Sequence, residues 1–162
     1  KKSKTFVLLL SSPIHLKEII IGKFLACMIV VGLMVLLSAY STGYLIVVGD
    51  PEIGPILTGY IGIFLITGCY VSMGLFASSL TDNQIIAAVI SFGLALFMWI
   101  IGWGAQAGGS DLGQLLEYLS LITHLEHFLK GLMNSSDLIY YLSFITFGLF
   151  LTHRVLESSR WR

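Results

Sequence analysis

Residues 13–48 read PIHLKEIIIGKFLACMIVVGLMVLLSAYSTGYLIVV, with no proline after the first. As one helix rising about 1.5 Å per residue, this stretch extends about 54 Å, well beyond a hydrocarbon core of about 30 Å. Its first turns, carrying Lys17, Glu18 and Lys23, must therefore lie at or below a membrane surface. Residues 24–48 hold no charged side chain and form a first complete span. Ser12 and Pro13 supply a helix start, Ser as N-cap and Pro at the first helical position. Gly22, beside Lys23, marks a bend at the entry to the span.

Upstream, residues 6–10 (FVLLL) are apolar but too short to cross a bilayer, which takes about 20 helical residues. Lys1, Lys2 and Lys4 precede them, and Lys17 and Lys23 follow. A short apolar helix with a basic border, tied directly to a span, suits a cytoplasmic docking element that receives movement from a separate motor protein. Phe6, Leu9 and Leu10 would equally anchor such a helix at the membrane surface, and the two roles are compatible.

Composition agrees with a membrane setting. Of the 162 residues, 56% are hydrophobic and only 11% charged, against roughly 25% charged in soluble domains. The mean hydropathy is +0.90. The chain starts with Lys and lacks the charged, apolar and cleavage regions of a signal peptide, so an upstream portion is expected. Cys27 and Cys69 fall within apolar runs, which predicts small buried hydrophobes rather than a disulfide framework.

Gly49-Asp50-Pro51-Glu52 is an acidic turn with helix-breaking chemistry. A second span covers residues 56–80 and is rich in glycine, which lets transmembrane backbones approach closely. Residues 81–84 (TDNQ) turn the chain into a third span, 85–104, whose Trp99 and Trp103 suit an interfacial belt. Residues 104–109 (GAQAGG) are expected to break that helix; Gly104 and Gly108 have helix-packing spacing but read better as a flexible turn. Residues 110–133 differ in kind. Leucines recur at three-to-four spacing, with Gln114, Glu117, His124, His127 and Lys130 between them. That pattern predicts an amphipathic helix, or a broken pair, lying on or dipping into the membrane. Residues 134–137 (NSSD) end it and cap a last span at 138–156, anchored by Tyr140 and Tyr141 and flanked by a snorkelling Arg154. A short tail, 157–162, follows. The fold class is an all-α, polytopic membrane protein with four transmembrane helices and a single transmembrane domain.

With the amino end in the cytoplasm, the cytoplasmic segments hold Lys1, Lys2, Lys4, Lys17, Lys23, Arg154, Arg160 and Arg162, leaving Lys130 alone on the opposite face. The positive-inside rule then places both ends of this chain in the cytoplasm.

None of the span cores carries a charged side chain, and ion-coupled carriers and voltage sensors usually need one. No G-x-x-x-x-G-K-[ST] run is present, so no P-loop binds nucleotide here. No nucleophile elbow accompanies the histidines, which disfavours an intramembrane enzyme. A transporter built this way draws its energy from another chain. His124-Leu125-Glu126-His127 invites a metal reading, but helical zinc pairs sit four apart and these are three apart. The polar face of an amphipathic helix explains them better, and no metal is expected.

The run TFVLLLSSPIHLKEIIIGKFLA (residues 5–26) resembles the cytoplasmic segment of ABC-2 type transporter permeases. Residues 124–143 (HLEHFLKGLMNSSDLIYYLS) are similar to the stretch before their last span. The subgroup most resembled is that of bacterial permeases associated with gliding motility and multicopper-enzyme maturation. Lys4 and Val7 stand where the family usually has Gly and Glu, and Leu125 replaces an aromatic residue. The resemblance implies a six-span fold of which these are the later four spans. It implies a coupling helix over residues 1–12 that contacts an ABC ATP-binding subunit through Lys4, Thr5, Phe6, Leu9, Leu10, Ser11, Ser12 and Pro13, with Gly22 and Lys23 at the hinge into the span. It also implies external re-entrant helices, with His124, Glu126, His127, Phe128, Gly131 and Asp137 as their site residues. ATP and Mg would sit on the partner subunit, with no cofactor in this chain. A second permease copy or paralogue would complete the pore in a bacterial cytoplasmic membrane, and no nucleic acid is involved. The expected function is a permease subunit of an ABC-type exporter. The alternative is a membrane anchor or assembly module of a cell-surface machine that binds an ATPase without transporting.

Overall fold

The computed structural model describes residues 16–49, 51–107 and 117–159. Among the described residues five helices have both ends defined: α1 Leu16–Val48, α2 Ile53–Leu80, α3 Gln84–Ala107, α4 Leu121–Leu129 and α5 Ser135–Ser159; residues 117–119 are also helical. Among the described residues, α1, α2, α3 and α5 are long and apolar enough to cross a membrane. Glycine 22 leaves the helical hydrogen bonding of α1 uninterrupted. The coupling segment, with Lys4 to Pro13, lies outside the described residues, as do Asp50, residues 108–116 and the last three residues.

α2 is the central element. It packs against α1, α3, α4 and α5, while α1 also meets α5 and α3 also meets α4. The reason lies in its small side chains. A methyl group added at Gly62 would lie 2.8 Å from Phe128 Cβ on α4, and one at Gly68 would lie 2.9 Å from Ile145 Cδ1 on α5. Close approach is reciprocal at Gly148 of α5, where a methyl group would meet Ser72 Oγ at 2.6 Å. Without a hydrophobic drive between helices in lipid, such contact is a main source of their association.

Among the described residues Ile66, Cys69, Leu121, Phe128 and Tyr141 form a small buried cluster. Large apolar side chains instead cover the outside, with Leu37 77% and Leu36 69% exposed. In water that surface would be an aggregation liability; in a bilayer it is the lipid face. Several hydroxyls within the spans turn back onto their own helices, as with Thr67 to Ile63 O at 2.7 Å and Thr152 to Gly148 O at 2.8 Å. Each of these donors is thereby met without water.

Three local expectations change. The third helix continues through Gly104 to Ala107, because glycine is common in membrane helices, where its unfolded alternatives are penalised. Cys27 is exposed rather than buried, while Cys69 is fully buried; both are free. Tyr141, near the start of α5, is wholly enclosed in the core rather than open on the surface.

Candidate functional site

The site forms where α4 lies across one end of the bundle, over the start of α2, the end of α3 and the start of α5. Ser120 caps α4, its hydroxyl accepting from Thr123 N at 3.3 Å. Ser120 fits because Gly102 of α3 has no side chain; a methyl group there would lie 2.9 Å from Ser120 Oγ. At the far end, Leu132 N donates to His127 O (3.0 Å) and Gly131 N to Phe128 O (3.1 Å). Gly131 sits at φ +79. These are the two bonds of a Schellman ending with glycine in the left-handed region.

Hydroxyls from two other helices hold the backbone of this segment. Tyr140 Oη donates to Leu119 O and Tyr141 Oη to Leu121 O, both at 2.7 Å. Thr58 of α2 donates to Phe128 O at 2.6 Å. Phe128 and Leu121 are fully buried beneath these bonds.

Asp137, in the first turn of α5, is 3% exposed. Its Oδ2 accepts from His127 Nδ1 at 3.0 Å, and His124 Nε2 stands 3.8 Å from Oδ1. His124 Nδ1 donates to Ser120 O at 2.9 Å; the hydrogen on each Nδ1 follows from the acceptor it faces. The ring of His124 stacks on Tyr140, with centroids 4.2 Å apart and planes 8° from parallel. Tyr118 meets both rings edge-on. Electrostatics favour the His127–Asp137 contact twice over. A carboxylate suits a helix N-terminus and an imidazole suits the last turn of another, and Asp137 and His127 occupy those positions.

The structure thus brings together His124, His127, Asp137 and Phe128, with Gly131 at the turn between the helices. Glu126 points elsewhere and pairs with Lys130 at 3.7 Å, both partly open to solvent. Among the described residues no group of three His, Cys, Asp or Glu side chains is arranged to hold a metal. Sequence reasoning missed Thr58, Ser120 and the roles of Tyr140 and Tyr141. Thr58, three residues after Pro55 in an apolar helix, gives only a faint signal. The Asp-x-x-Tyr-Tyr spacing gives a stronger one, since one helical turn places Asp137 and Tyr141 on the same face.

Apolar helices of spanning length, with a short helix seated across one end, define a polytopic helical membrane protein. The family described as ABC-2 family transporter protein matches residues 1–155, and the chain belongs to it. Members of this family are the membrane subunits of ABC transporters and are not themselves the catalytic ones. No curated protein and no solved structure matches the chain.

Proposed function

We propose that this chain is the permease part of an ABC-type exporter, driven by ATP hydrolysis in a separate nucleotide-binding subunit. The family match over residues 1–155 carries the reading. The absence of a P-loop sequence supports an external energy source, and the uncharged spans argue against ion coupling. Residues 4–13 act as the coupling segment: Phe6, Leu9 and Leu10 supply apolar contacts to the ATPase, and the motion passes along α1 through Gly22 and Lys23 into the span. A second copy or paralogue completes the path, in a bacterial cytoplasmic membrane with both ends of this chain inside. A place among the gliding-motility or copper-maturation permeases rests on the sequence likeness alone.

The test is coupling. Replacing Leu9 and Leu10 by Asp is expected to abolish stimulation of the matching ATPase in reconstituted vesicles while leaving insertion intact. Unchanged stimulation would remove the coupling assignment. ATP-dependent substrate movement in those vesicles separates an exporter from an anchoring module, which would bind the ATPase and move nothing.

A further inference from the structure

α5 carries two faces of different kinds. Tyr141, Gly148 and Thr152 are buried against the rest of the bundle, whereas Ser143, Thr146 and Phe150 are exposed. Tyr141 and Ser143, like Gly148 and Phe150, are two residues apart, which is about 200° round a helix of 3.6 residues per turn. The exposed face is therefore opposite the packed one. With Ile139, Leu142 and Phe147 it forms a groove of about 580 Å³, and every lining residue belongs to α5. Side-chain size makes the groove: Ser143 and Thr146 give a low floor, with Ile139 and Leu142 towards the start of the helix and Phe147 and Phe150 towards its end. Both floor hydroxyls donate to carbonyls of α5 itself, Ser143 to Tyr140 O and Thr146 to Leu142 O, each at 2.8 Å. With those donors already engaged, the floor suits hydrocarbon better than a polar ligand. From Ile139 to Phe150 the helix rises about 17 Å, close to half of a hydrocarbon core of about 30 Å. That is the depth of one leaflet.

Charge stands at the end of this groove. One turn beyond Phe150, Arg154 is 65% exposed and lays its guanidinium over the Phe150 ring, 5.4 Å from the centroid. Glu157 Oε2 faces Arg154 Nη1 at 3.6 Å and His153 Nδ1 at 3.8 Å. A guanidinium offers five N–H donors in a planar fork, so it can serve this carboxylate and a phosphate together. We propose that the outer face of α5 binds one anionic phospholipid, an acyl chain lying over Ser143 and Thr146 and the phosphate meeting Arg154. Glu157 opposes the headgroup and limits how tightly it is held. The site requires only a membrane setting; its place in the cytoplasmic leaflet rests on the proposed orientation, and nothing in it depends on export.

Native mass spectrometry of the full chain, carried in detergent micelles and titrated with phosphatidylglycerol or phosphatidylcholine of the same acyl chains, reads the first lipid bound. Phosphatidylglycerol should be held about fivefold more tightly, as expected for one basic residue near an anionic surface. Arg154→Gln should remove that preference and Glu157→Gln should raise it. Thr146→Phe fills the groove from its exposed side and should weaken both lipids; on that background Arg154→Gln should change nothing further. The two Gln variants, at side chains open to solvent, keep the test valid if Thr146→Phe fails to fold. Equal binding of the two lipids, a preference that survives Arg154→Gln, or one that Glu157→Gln leaves unchanged or lowers would each overturn the proposal. So would binding indifferent to Thr146→Phe, which would put the lipid on the lysine-rich segments by charge alone. A lipid-free dimer split by Thr146→Phe would give the groove to a second copy instead.

Discussion

Asp137 shows how one side chain can organise a site that no local pattern reveals. A buried carboxylate is costly unless paired and hydrogen-bonded, and its 3.0 Å contact with His127 meets that need. The two residues lie ten apart in sequence on different helices. Helical periodicity relates positions three or four apart, so it could group His124 with His127 but could not add Asp137 as their partner. The glycines permit a sharper test. At Gly62 an added methyl group meets Phe128 Cβ, next to the backbone, whereas at Gly68 it meets the far end of the Ile145 side chain. A side-chain tip can rotate away; a Cβ moves only with its helix. Gly62→Ala should therefore destabilise by about 1–3 kcal/mol and Gly68→Ala by clearly less, read as midpoints of thermal unfolding in detergent. Equal losses would show that α5 is as tightly fixed as α4.

At the scale of elements, α1 stands apart. Of its residues only Ile20 and Met28 are buried, and near its far end a hydrogen bond joins Thr42 to Tyr60 of α2. Polar bonds between membrane helices average about 0.6 kcal/mol, since the separated helices also find partners. Tyr60→Phe should thus cost no more than about 1 kcal/mol in reversible unfolding from mixed micelles. A loss above about 2 kcal/mol would mean that this bond, rather than packing at Ile20 and Met28, fixes α1. The spans themselves were legible, because long uncharged runs have one physical solution in a bilayer. Their ends were less so: Gly104 reads as a stop by rules learned in water, yet α3 passes through it. The short helix was recognisable as amphipathic, but its start at Leu121 depends on Ser120 fitting over Gly102. That is a contact between distant segments, invisible to any window of sequence.

For the molecule as a whole, charge placement and the up-and-down path of the spanning helices make a single proposal about orientation. Lys130 beside α4 and Arg154 near the end of α5 should face opposite compartments. Cysteines placed there separately should differ towards a membrane-impermeant maleimide added to intact cells: Lys130→Cys labelled, Arg154→Cys labelled only after permeabilisation. The unsubstituted chain is the control for Cys27 and Cys69, which lie within spans. Reversed labelling would invert the proposed topology. The seat of α4 has one more consequence, for how the chain is made. Its supports come from both directions: Thr58 and Gly62 precede it, while Asp137, Tyr140 and Tyr141 follow. As the ribosome delivers the chain in order, α4 emerges when half of its berth is still untranslated. Its full set of supports therefore exists only once α5 is in place.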